Sequence, residues 1–387
     1  MAEAAQQVLL AQARAIAELA LANGAAIERE RRLPDTVVAR IRESRFFHLL
    51  VPQRYGGAEL PLPDYLALIQ AIAEGDASTG WCVNQAAVYA TMAARADPQT
   101  AAEIWGDPDT CVANGPPGNG HVTPATGGHR LSGRWEFSSG CRHANWVAAA
   151  TPIDGVLTVS MLPIGAVELV DIWQVQGLRG TGSFAFDVHD VFVPTRHTFT
   201  FTARLAEASP LYKIPVNLLF AAGFAAVALG NARHAIDAAV ELLTDKVAVF
   251  ERQPARERGS VQFDVARAEA TWGAARAYLG QAAASVWQSA LVLPPGESVP
   301  GAGRELVPTR DTRVALRLAA THAIHCAADA VQTVYRLSGS TAIFAQSPLQ
   351  RCFQDAHVIT QQVQGRPVHY ETVGQHFLGM DPPAHFF

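Results

Sequence analysis

Cysteine is scarce in this chain of 387 residues, which contains only five. They are scattered, with no CxxC pair and no histidine at zinc-finger spacing, so the sequence favours free, mostly buried thiols in a reducing compartment and no bound metal. The chain also lacks a Walker A loop and a GxGxxG fingerprint following a strand. These absences argue against P-loop and Rossmann-type nucleotide sites.

Neither sign of charge is in large excess. Lysine and arginine total 30 against 35 aspartate and glutamate residues, which gives a formal net charge of -5. A nucleic acid or an anionic membrane would require a basic surface, so we expect neither as a partner. Charged residues make up 17% of the chain and apolar residues 49%, a composition typical of an ordered globular protein.

Long hydrophobic runs are absent as well. The most apolar stretch, residues 218–230, is too short to span a bilayer and leads into Asn231, Arg233 and His234. The N-terminus has neither the basic region nor the apolar region of a secretory signal. We therefore interpret the apolar stretch as a core helix and expect a cytoplasmic protein.

Most of the chain has the composition of helices. Residues 2–23 are rich in alanine and leucine and contain no glycine or proline, which predicts one long helix. Further helices within the first 105 residues are expected to start near Leu33, Leu62, Trp81 and Asp97. Residues 76–80 supply N-cap candidates for the helix near Trp81.

The pattern changes to β structure between residues 111 and 205. Residues 126–128 and 154–155 are predicted hairpin turns, and residues 157–161 and 184–188 are predicted strands. We expect a small β-barrel or sandwich here.

Long alanine-rich helices return after the β segment. They are predicted at residues 214–243, 261–289, 309–337 and 349–364. Their wide apolar stripes predict a four-helix bundle, with a loop rich in proline and glycine at residues 294–303. The predicted fold is thus α+β and mostly α. We expect an N-terminal helical domain (1–110), a middle β domain (111–206) and a C-terminal bundle (207–387).

Five short motifs occur in order along the chain. They are residues 51–57 (VPQRYGG), 78–81 (STGW), 137–141 (FSSGC), 177–183 (GLRGTGS) and 348–355 (PLQRCFQD). Each alone is compatible with an ordinary turn or strand end. Together, and over essentially the whole chain, they resemble the acyl-CoA dehydrogenase superfamily, and within it the oxygenase component of group D two-component flavin-dependent monooxygenases. The resemblance implies an acyl-CoA dehydrogenase-like fold.

The resemblance also implies where a flavin binds. A strand ending in Ser138, Ser139 and Gly140 offers hydroxyl and backbone N–H groups to the ring. Residues 179–183 supply a permanent cation and glycines that allow close approach. The implied cofactor-binding residues are Trp81, Asn114, Phe137, Ser138, Ser139, Gly140, Arg179, Gly180, Thr181, Gly182, Ser183 and Arg351.

Three positions depart from the family pattern. The catalytic glutamate of the dehydrogenases falls on Val363, which cannot accept a proton from a substrate carbon. The two pocket histidines of aromatic hydroxylases fall on Tyr89 and Gln362, which form hydrogen bonds but are not bases near neutral pH. Both are still implied to contact the substrate, together with Trp81.

Other histidines could take over the missing role. The candidates are His143, His357, His369 and His376. His357 is the best placed, because it precedes Gln362 by slightly more than one helical turn. The candidate catalytic residues are therefore Ser138, Ser139, Tyr89, Gln362 and His357.

The resemblance implies a function. The chain would take reduced FMN or FAD from a separate NAD(P)H-flavin reductase, react it with O2 through a C4a-hydroperoxide and oxygenate a small aromatic or polycyclic substrate. It would form a homotetramer. The replaced histidines leave two alternatives: an oxidase, dehydratase or dearomatase on the same fold, or a flavin-fold binding protein without catalysis. Incorporation of labelled O2 would contradict the first alternative, and binding of reduced flavin would argue against the second.

Overall fold

The computed structural model describes residues 3–201, 203, 205–247, 251–292 and 308–383. Its N-terminal part consists of α1 (Glu3–Ala22), α2 (Gly24–Glu30), α3 (Asp35–Glu43), α4 (Leu62–Ala73), α5 (Ala77–Ala90) and α6 (Pro98–Trp105). The helix predicted for residues 2–23 is confirmed as α1, whereas the sequence pattern does not predict α2. The chain turns between them at Asn23, whose side-chain amide donates to the Leu19 carbonyl at 2.8 Å.

The helix predicted from Trp81 begins earlier, at Ala77. Asp76 is the N-cap of α5, and its carboxylate accepts from the Thr79 N–H at 2.7 Å. This bond satisfies a free N–H group of the first turn and so fixes the helix start. Every residue of α5 is buried, because bundle helices pack on one side of it and β strands on the other.

The predicted β segment contains β1 (Val112–Asn114), β2 (His121–Ala125), β3 (Gly128–Ser138), β4 (Trp146–Ile153), β5 (Val156–Pro163), β6 (Glu168–Val170), β7 (Phe184–Pro194) and β8 (Thr198–Thr200). They form two four-stranded sheets, in the orders β1-β4-β5-β8 and β2-β3-β7-β6. The predicted hairpin turns are confirmed: Ala125 pairs with Gly128, and Ile153 pairs with Val156.

The two sheets pack face to face. Val147 and Leu162 of the first sheet share a buried cluster with Trp135 and Phe186 of the second. Trp135 and Phe186 stack with 5.4 Å between ring centroids. The segment is therefore a β-sandwich with its own core.

The C-terminal part consists of α7 (Pro210–Lys213), α8 (Val216–Asp245), α9 (Gly259–Leu291), α10 (Arg310–Ser338), α11 (Pro348–Gln361) and α12 (Val368–Phe377). The four predicted bundle helices are confirmed as α8 to α11, with ends shifted by one to three residues. The short helices α7 and α12 are not predicted by the sequence pattern. The predicted loop at residues 294–303 lies outside the described residues.

The N-terminal helices and the bundle share one core. Buried residues of α4 and α5 pack in the same cluster as those of α8 and α10. Helix α8 is long and apolar enough to cross a membrane, but 78% of its most apolar window is buried inside the structure, as expected of a core helix. The predicted domain boundaries near residues 110 and 206 fall between α6 and β1 and between β8 and α7, and they stay a prediction.

Candidate active site

One face of α5 is directed toward the β-sandwich. Trp81, Gln85 and Tyr89 follow each other at intervals of four residues and therefore share one side of the helix. The Trp81 Nε1–H donates to the Ser139 hydroxyl at 3.1 Å, and the Gln85 amide donates to Asn114 Oδ1 at 2.7 Å. These bonds fix α5 to β1 and to the residue that follows β3.

Aromatic rings line the bundle side of this face. The Trp81 ring stacks on Phe224 of α8, with 3.9 Å between centroids and 25° between planes. Phe224 stacks in turn on Phe220, 5.9 Å away, and Phe220 packs against the buried cluster that contains Tyr89. Trp81, Phe224 and Phe220 therefore form a row of stacked rings, and flat apolar rings of this kind suit a planar ligand.

Strand β3 ends in a bulge. Its register against β7 shifts between Trp135 and Ser138, and Phe137 has a φ of 58°, which is uncommon for a residue with a side chain. Bulges redirect the side chains that follow them. Ser138 is completely buried, whereas 7% of Ser139 remains accessible. Ser139 is thus the serine of the pair that a ligand can reach, while the Phe137 ring is exposed against Trp173.

The turn at residues 177–183 brings two more hydroxyl groups to Ser139. Ser183 Oγ lies 2.7 Å from Ser139 Oγ, and Thr181 Oγ1 lies 2.7 Å from Ser183 Oγ. The Gly140 N–H donates to the Thr181 carbonyl at 2.8 Å, which joins the end of β3 to the turn. The three hydroxyls and the α5 indole therefore form one connected network.

Charged residues of α2 and α11 hold the opposite side of this turn. Asp355 Oδ1 accepts from the Leu178 N–H at 2.5 Å. Arg179 Nε donates to the Glu28 carbonyl at 3.0 Å and lies 3.5 Å from the Glu28 carboxylate. Arg179 thus holds the turn against α2 and takes no part in the hydroxyl network.

Four ionisable groups meet behind the turn, and we call them the rear cluster: Glu28, Asp76, Arg351 and Asp355. Burial raises the pKa of Glu28 to about 7 and that of Asp355 to about 8, and repulsion among the carboxylates adds to both shifts. The guanidinium of Arg351 opposes them. At neutral pH the Asp355 carboxyl is mainly protonated, and its carbonyl oxygen still accepts from the Leu178 N–H.

Buried thiols support the turn. Cys141 Sγ donates to the Gly182 carbonyl at 3.4 Å, and Cys82 Sγ donates to the Thr181 carbonyl at 3.9 Å. Burial raises the pKa of Cys141 to about 12, so this thiol keeps its proton and remains a donor. All five cysteines of the chain are free thiols.

His143 packs behind the bulge. Its Nε2 lies 3.0 Å from the position that a Cβ on Gly140 would occupy, and it has no hydrogen-bond partner among the described residues. Burial, with the charge of Arg42, lowers the pKa of His143 to about 4. This histidine is therefore neutral at physiological pH. Of the other candidates, His369 contacts the Val363 carbonyl and His376 pairs with Asp311.

His357 lies apart from the Ser139 network. It is exposed on α11 and lines a surface cavity of about 430 Å³. The other polar residues of this cavity are His325, Asp329, Gln332, Thr360, Gln361 and Arg366. Gln362 follows α11, where its Oε1 accepts from the Gln364 N–H at 2.7 Å. Its Nε2 is buried without a partner in the described part of the chain.

Arg351 lies on the rear side of the turn. Its guanidinium packs on α2, where a Cβ on Gly24 would lie 2.1 Å from Arg351 Nη1.

The structure brings six of the predicted site residues together around the hydroxyl network. They are Trp81, Asn114, Ser139, Gly140, Thr181 and Ser183. Gly180 and Gly182 shape the turn that carries the last two.

Sequence reasoning missed three residues of this site. Gln85 could have been found from the four-residue spacing between Trp81 and Tyr89. Phe220 and Phe224 carry the same signal on α8, one turn apart. Nothing in the sequence says that this face of α8 meets Trp81.

Comparison with known proteins identifies the family. The acyl-CoA dehydrogenase N-terminal domain model matches residues 3–101, and the C-terminal domain model matches residues 222–366. An indole-3-acetate monooxygenase of Pseudomonas putida is 32% identical over 92% of this chain and 90% of its own length. The HsaA oxygenase subunit of a flavin-dependent monooxygenase from Rhodococcus jostii (strain RHA1) is 32% identical over 84% of this chain and 86% of its own. This chain belongs to the flavin-dependent monooxygenases of the acyl-CoA dehydrogenase family.

The solved structure of the HsaA monooxygenase from M. tuberculosis agrees with this assignment. It superposes on 99% of this flavin-dependent monooxygenase and 100% of its own chain, with a TM-score of 0.86 and 27% identity. The match extends over the helical ends and the β-sandwich alike, so the predicted acyl-CoA dehydrogenase-like fold is confirmed.

The residues around Ser139 fit a flavin ring. Several buried polar atoms of the described residues lack a partner, and three of them are Asn114 Nδ2, Tyr89 Oη and Ser138 Oγ. Buried polar groups normally find a hydrogen-bond partner, and these lie on the strands and the helix face that surround Ser139. The aromatic row beside them matches the flat, apolar face of an isoalloxazine ring.

Proposed function

We propose that this flavin-dependent monooxygenase is a cytoplasmic oxygenase component that accepts reduced FMN or FAD from a separate reductase. The observation that carries the proposal is the Ser139 hydroxyl, fixed by Trp81 and Ser183 beside a row of aromatic rings. Bound reduced flavin supplies the two electrons that activate O2, of which one atom enters the substrate and the other leaves as water.

The chain itself supplies binding, orientation and exclusion of water. Ser139 and Asn114 would offer hydrogen bonds to the polar edge of the ring, and the stacked pair of Trp81 and Phe224 would supply apolar surface beside it. Ala- and Leu-rich helices surround this site, and a water-poor environment prevents the loss of activated oxygen to side reactions. Val363 stands where dehydrogenases carry their base, which argues against dehydrogenation.

The substrate class follows from Tyr89 and Gln362. Burial raises the pKa of Tyr89 far above its ordinary value, so the hydroxyl remains neutral and serves as a hydrogen-bonding group. A phenol needs a base before its ring becomes strongly nucleophilic, whereas an indole ring is nucleophilic without losing a proton. We therefore expect an electron-rich heteroaromatic substrate of the indole type in preference to a phenol.

Assembly into a homotetramer is part of the proposal. Helices α8 and α10 contribute mainly to the core of the chain. More strongly exposed apolar side chains lie outside these two helices, at Ile343, Phe344, Phe377 and Leu378. Sedimentation at several concentrations would test the tetramer.

The proposal is tested by binding followed by turnover. Purified protein is titrated anaerobically with FMNH2 and FADH2, and is then supplied with a flavin reductase, 18O2 and either indole-3-acetate or 4-hydroxyphenylacetate. We expect tight binding of one reduced flavin and incorporation of one labelled oxygen atom into the indole, at least tenfold faster than into the phenol.

The alternatives give different results. Product without labelled oxygen would support an oxidase, dehydratase or dearomatase. Binding of neither reduced flavin would support a protein without flavin chemistry. Ser139→Ala, which removes the accessible hydroxyl, is the matched variant and should lower both flavin affinity and labelled product.

A further inference from the structure

The hydroxyl groups of Ser139, Ser183 and Thr181 form an unbroken series of hydrogen bonds, which we call the hydroxyl chain. At one end, the Trp81 Nε1–H donates to Ser139 Oγ at 3.1 Å. The Ser139 and Ser183 oxygens are 2.7 Å apart, as are those of Ser183 and Thr181. At the other end, Thr181 Oγ1 donates to the Leu178 carbonyl at 2.8 Å.

The two ends fix the direction of every bond. An indole N–H can only donate, and a carbonyl oxygen can only accept. The single Thr181 hydroxyl proton goes to Leu178, so the proton between Thr181 and Ser183 comes from Ser183. The proton between Ser183 and Ser139 must then come from Ser139. The four contacts use the four available protons, and no other arrangement satisfies all of them.

Ser139 is therefore left with accepting capacity alone. A hydroxyl has one proton and two lone pairs. The Ser139 proton is donated to Ser183, and one lone pair accepts from Trp81, so a ligand meets the remaining lone pair. Ser139 is also the member of the hydroxyl chain that a ligand can reach, since it is 7% exposed whereas Ser183 and Thr181 are each 2% exposed.

This polarity distinguishes the two redox states of a flavin. Ring nitrogen N5 carries a hydrogen in the reduced flavin and only a lone pair in the oxidised flavin, so it donates in the first state and accepts in the second. We propose that Ser183 and Thr181 are positioning residues that hold the Ser139 hydroxyl as an acceptor and thereby favour reduced over oxidised flavin. This inference rests on the proposed function, because it assigns to the site a flavin whose N5 meets the Ser139 hydroxyl.

The size of the preference follows from the bond that must break. If Ser139 donates to an oxidised ring, the Ser139 and Ser183 oxygens face each other without a proton between them. Loss of one such bond changes an equilibrium constant by roughly threefold to tenfold. We expect at least that ratio between the Kd for oxidised flavin and the Kd for reduced flavin. A tenfold ratio raises the two-electron potential of the bound flavin by about 30 mV.

The experiment measures both dissociation constants on the full chain by absorbance and fluorescence titration. Oxidised FMN and FAD are titrated in air, and their reduced forms are titrated anaerobically. Ser183→Ala frees the Ser139 proton for a ligand, so the ratio of the two constants should fall roughly threefold to tenfold. Thr181→Val removes the acceptor of the Ser183 proton and should shift the ratio in the same direction. It replaces Ser183→Ala if that variant does not fold.

Trp81→Phe is the matched control. It removes the donor to Ser139, but Ser139 still donates its proton to Ser183, and the variant keeps a ring to stack on Phe224. Ser139 remains an acceptor in this variant, so the ratio should stay at the wild-type value even where both affinities fall. Thr321→Val removes a buried hydroxyl that donates to its own helix at 2.9 Å, and it controls for that loss alone.

The outcomes separate the inference from the proposed function. A lower ratio in Ser183→Ala with an unchanged ratio in Trp81→Phe supports the inference. Three outcomes would overturn the inference even if reduced flavin binds. The ratio of the Kd for oxidised flavin to the Kd for reduced flavin could be equal in wild type and Ser183→Ala, it could be one or less in wild type, or it could fall equally in Ser183→Ala and Trp81→Phe. Failure of wild type to bind reduced flavin would overturn the inference and the proposed function together.

Discussion

The turn at residues 177–183 has two faces of opposite chemistry. The front carries the hydroxyl chain, whose groups are neutral and do not titrate near physiological pH. The back meets the rear cluster, in which burial brings the pKa values of Glu28 and Asp355 to about 7 and about 8. Groups that change charge are thus kept away from the face that a ligand reaches.

Leu178 joins the two faces. Its carbonyl accepts from Thr181 in the hydroxyl chain, and its N–H donates to Asp355 in the rear cluster. It has a φ of 51°, a left-handed conformation that costs a leucine about 1–2 kcal/mol. The two hydrogen bonds offset that cost. The rear cluster thus holds the backbone of the turn, while the neutral front sets the direction of the hydroxyl protons.

Gly180→Ala should disrupt both faces at once and have the largest effect. A Cβ at this position would lie 2.1 Å from Ile27 Cγ2 and 2.9 Å from Ser78 Cβ, so the turn must move away from α2 and α5. Overpacking of this kind costs about 3 kcal/mol. We expect that loss in the free energy of unfolding measured with urea, together with weaker binding of reduced flavin.

A double-mutant cycle makes this prediction specific. Ile27→Ala removes the atom in closest contact, so Gly180→Ala should cost less in the Ile27→Ala background than in wild type. Equal costs in the two backgrounds would show that the methyl group is accommodated by another route.

Asp355→Leu should damage the back of the turn alone. Leucine cannot accept from the Leu178 N–H, and an unpaired buried N–H costs about 1–3 kcal/mol. Asp355→Asn keeps an oxygen acceptor at the same place and should remain close to wild type at pH 7, where the carboxyl is already mainly protonated. Thermal unfolding of the three proteins measures the difference. A similar loss in both variants would contradict a neutral role for Asp355.

Local signals account for the part of this fold that could be predicted. Periodic apolar residues predict α8 to α11, and Asp76 is recognisable as a helix cap because its bond to Thr79 spans three residues. The two hairpins follow from glycine at positions with positive φ. Each of these features depends on neighbours in the chain, which a sequence displays directly.

The remainder depends on contacts between distant segments. Gly24 resembles the end of a helix, because glycine often follows a helix C-terminus, but it begins α2 and makes room for Arg351. Arg351 and His357 share α11 with Asp355, yet only the contacts with α2 and the turn show which side each occupies. The Leu178–Asp355 bond spans 177 residues, and no local pattern predicts it.

The pH dependence of stability separates the two faces most directly, since only the back titrates. Both acids of the rear cluster have raised pKa values, so each binds more protons in the folded than in the unfolded state between about pH 4 and its raised pKa. Their contribution to stability should therefore fall as pH rises through this window, by at most about 1.4 kcal/mol per pH unit for each acid. Buried histidines with lowered pKa values, such as His143, contribute with the opposite sign below about pH 6.5, so the comparison with variants isolates the acids. Urea unfolding from pH 4 to pH 9 measures the slope.

Asp355→Asn should change the slope up to about pH 8, whereas Glu28→Gln should change it only below about pH 7. Ser183→Ala on the front should leave the slope unchanged. A slope that neither acid substitution changes would contradict titration of the rear cluster. If Ser183→Ala alters the dependence of the unfolding free energy on pH, the two faces are coupled through Leu178, and the front is not independent of the rear cluster.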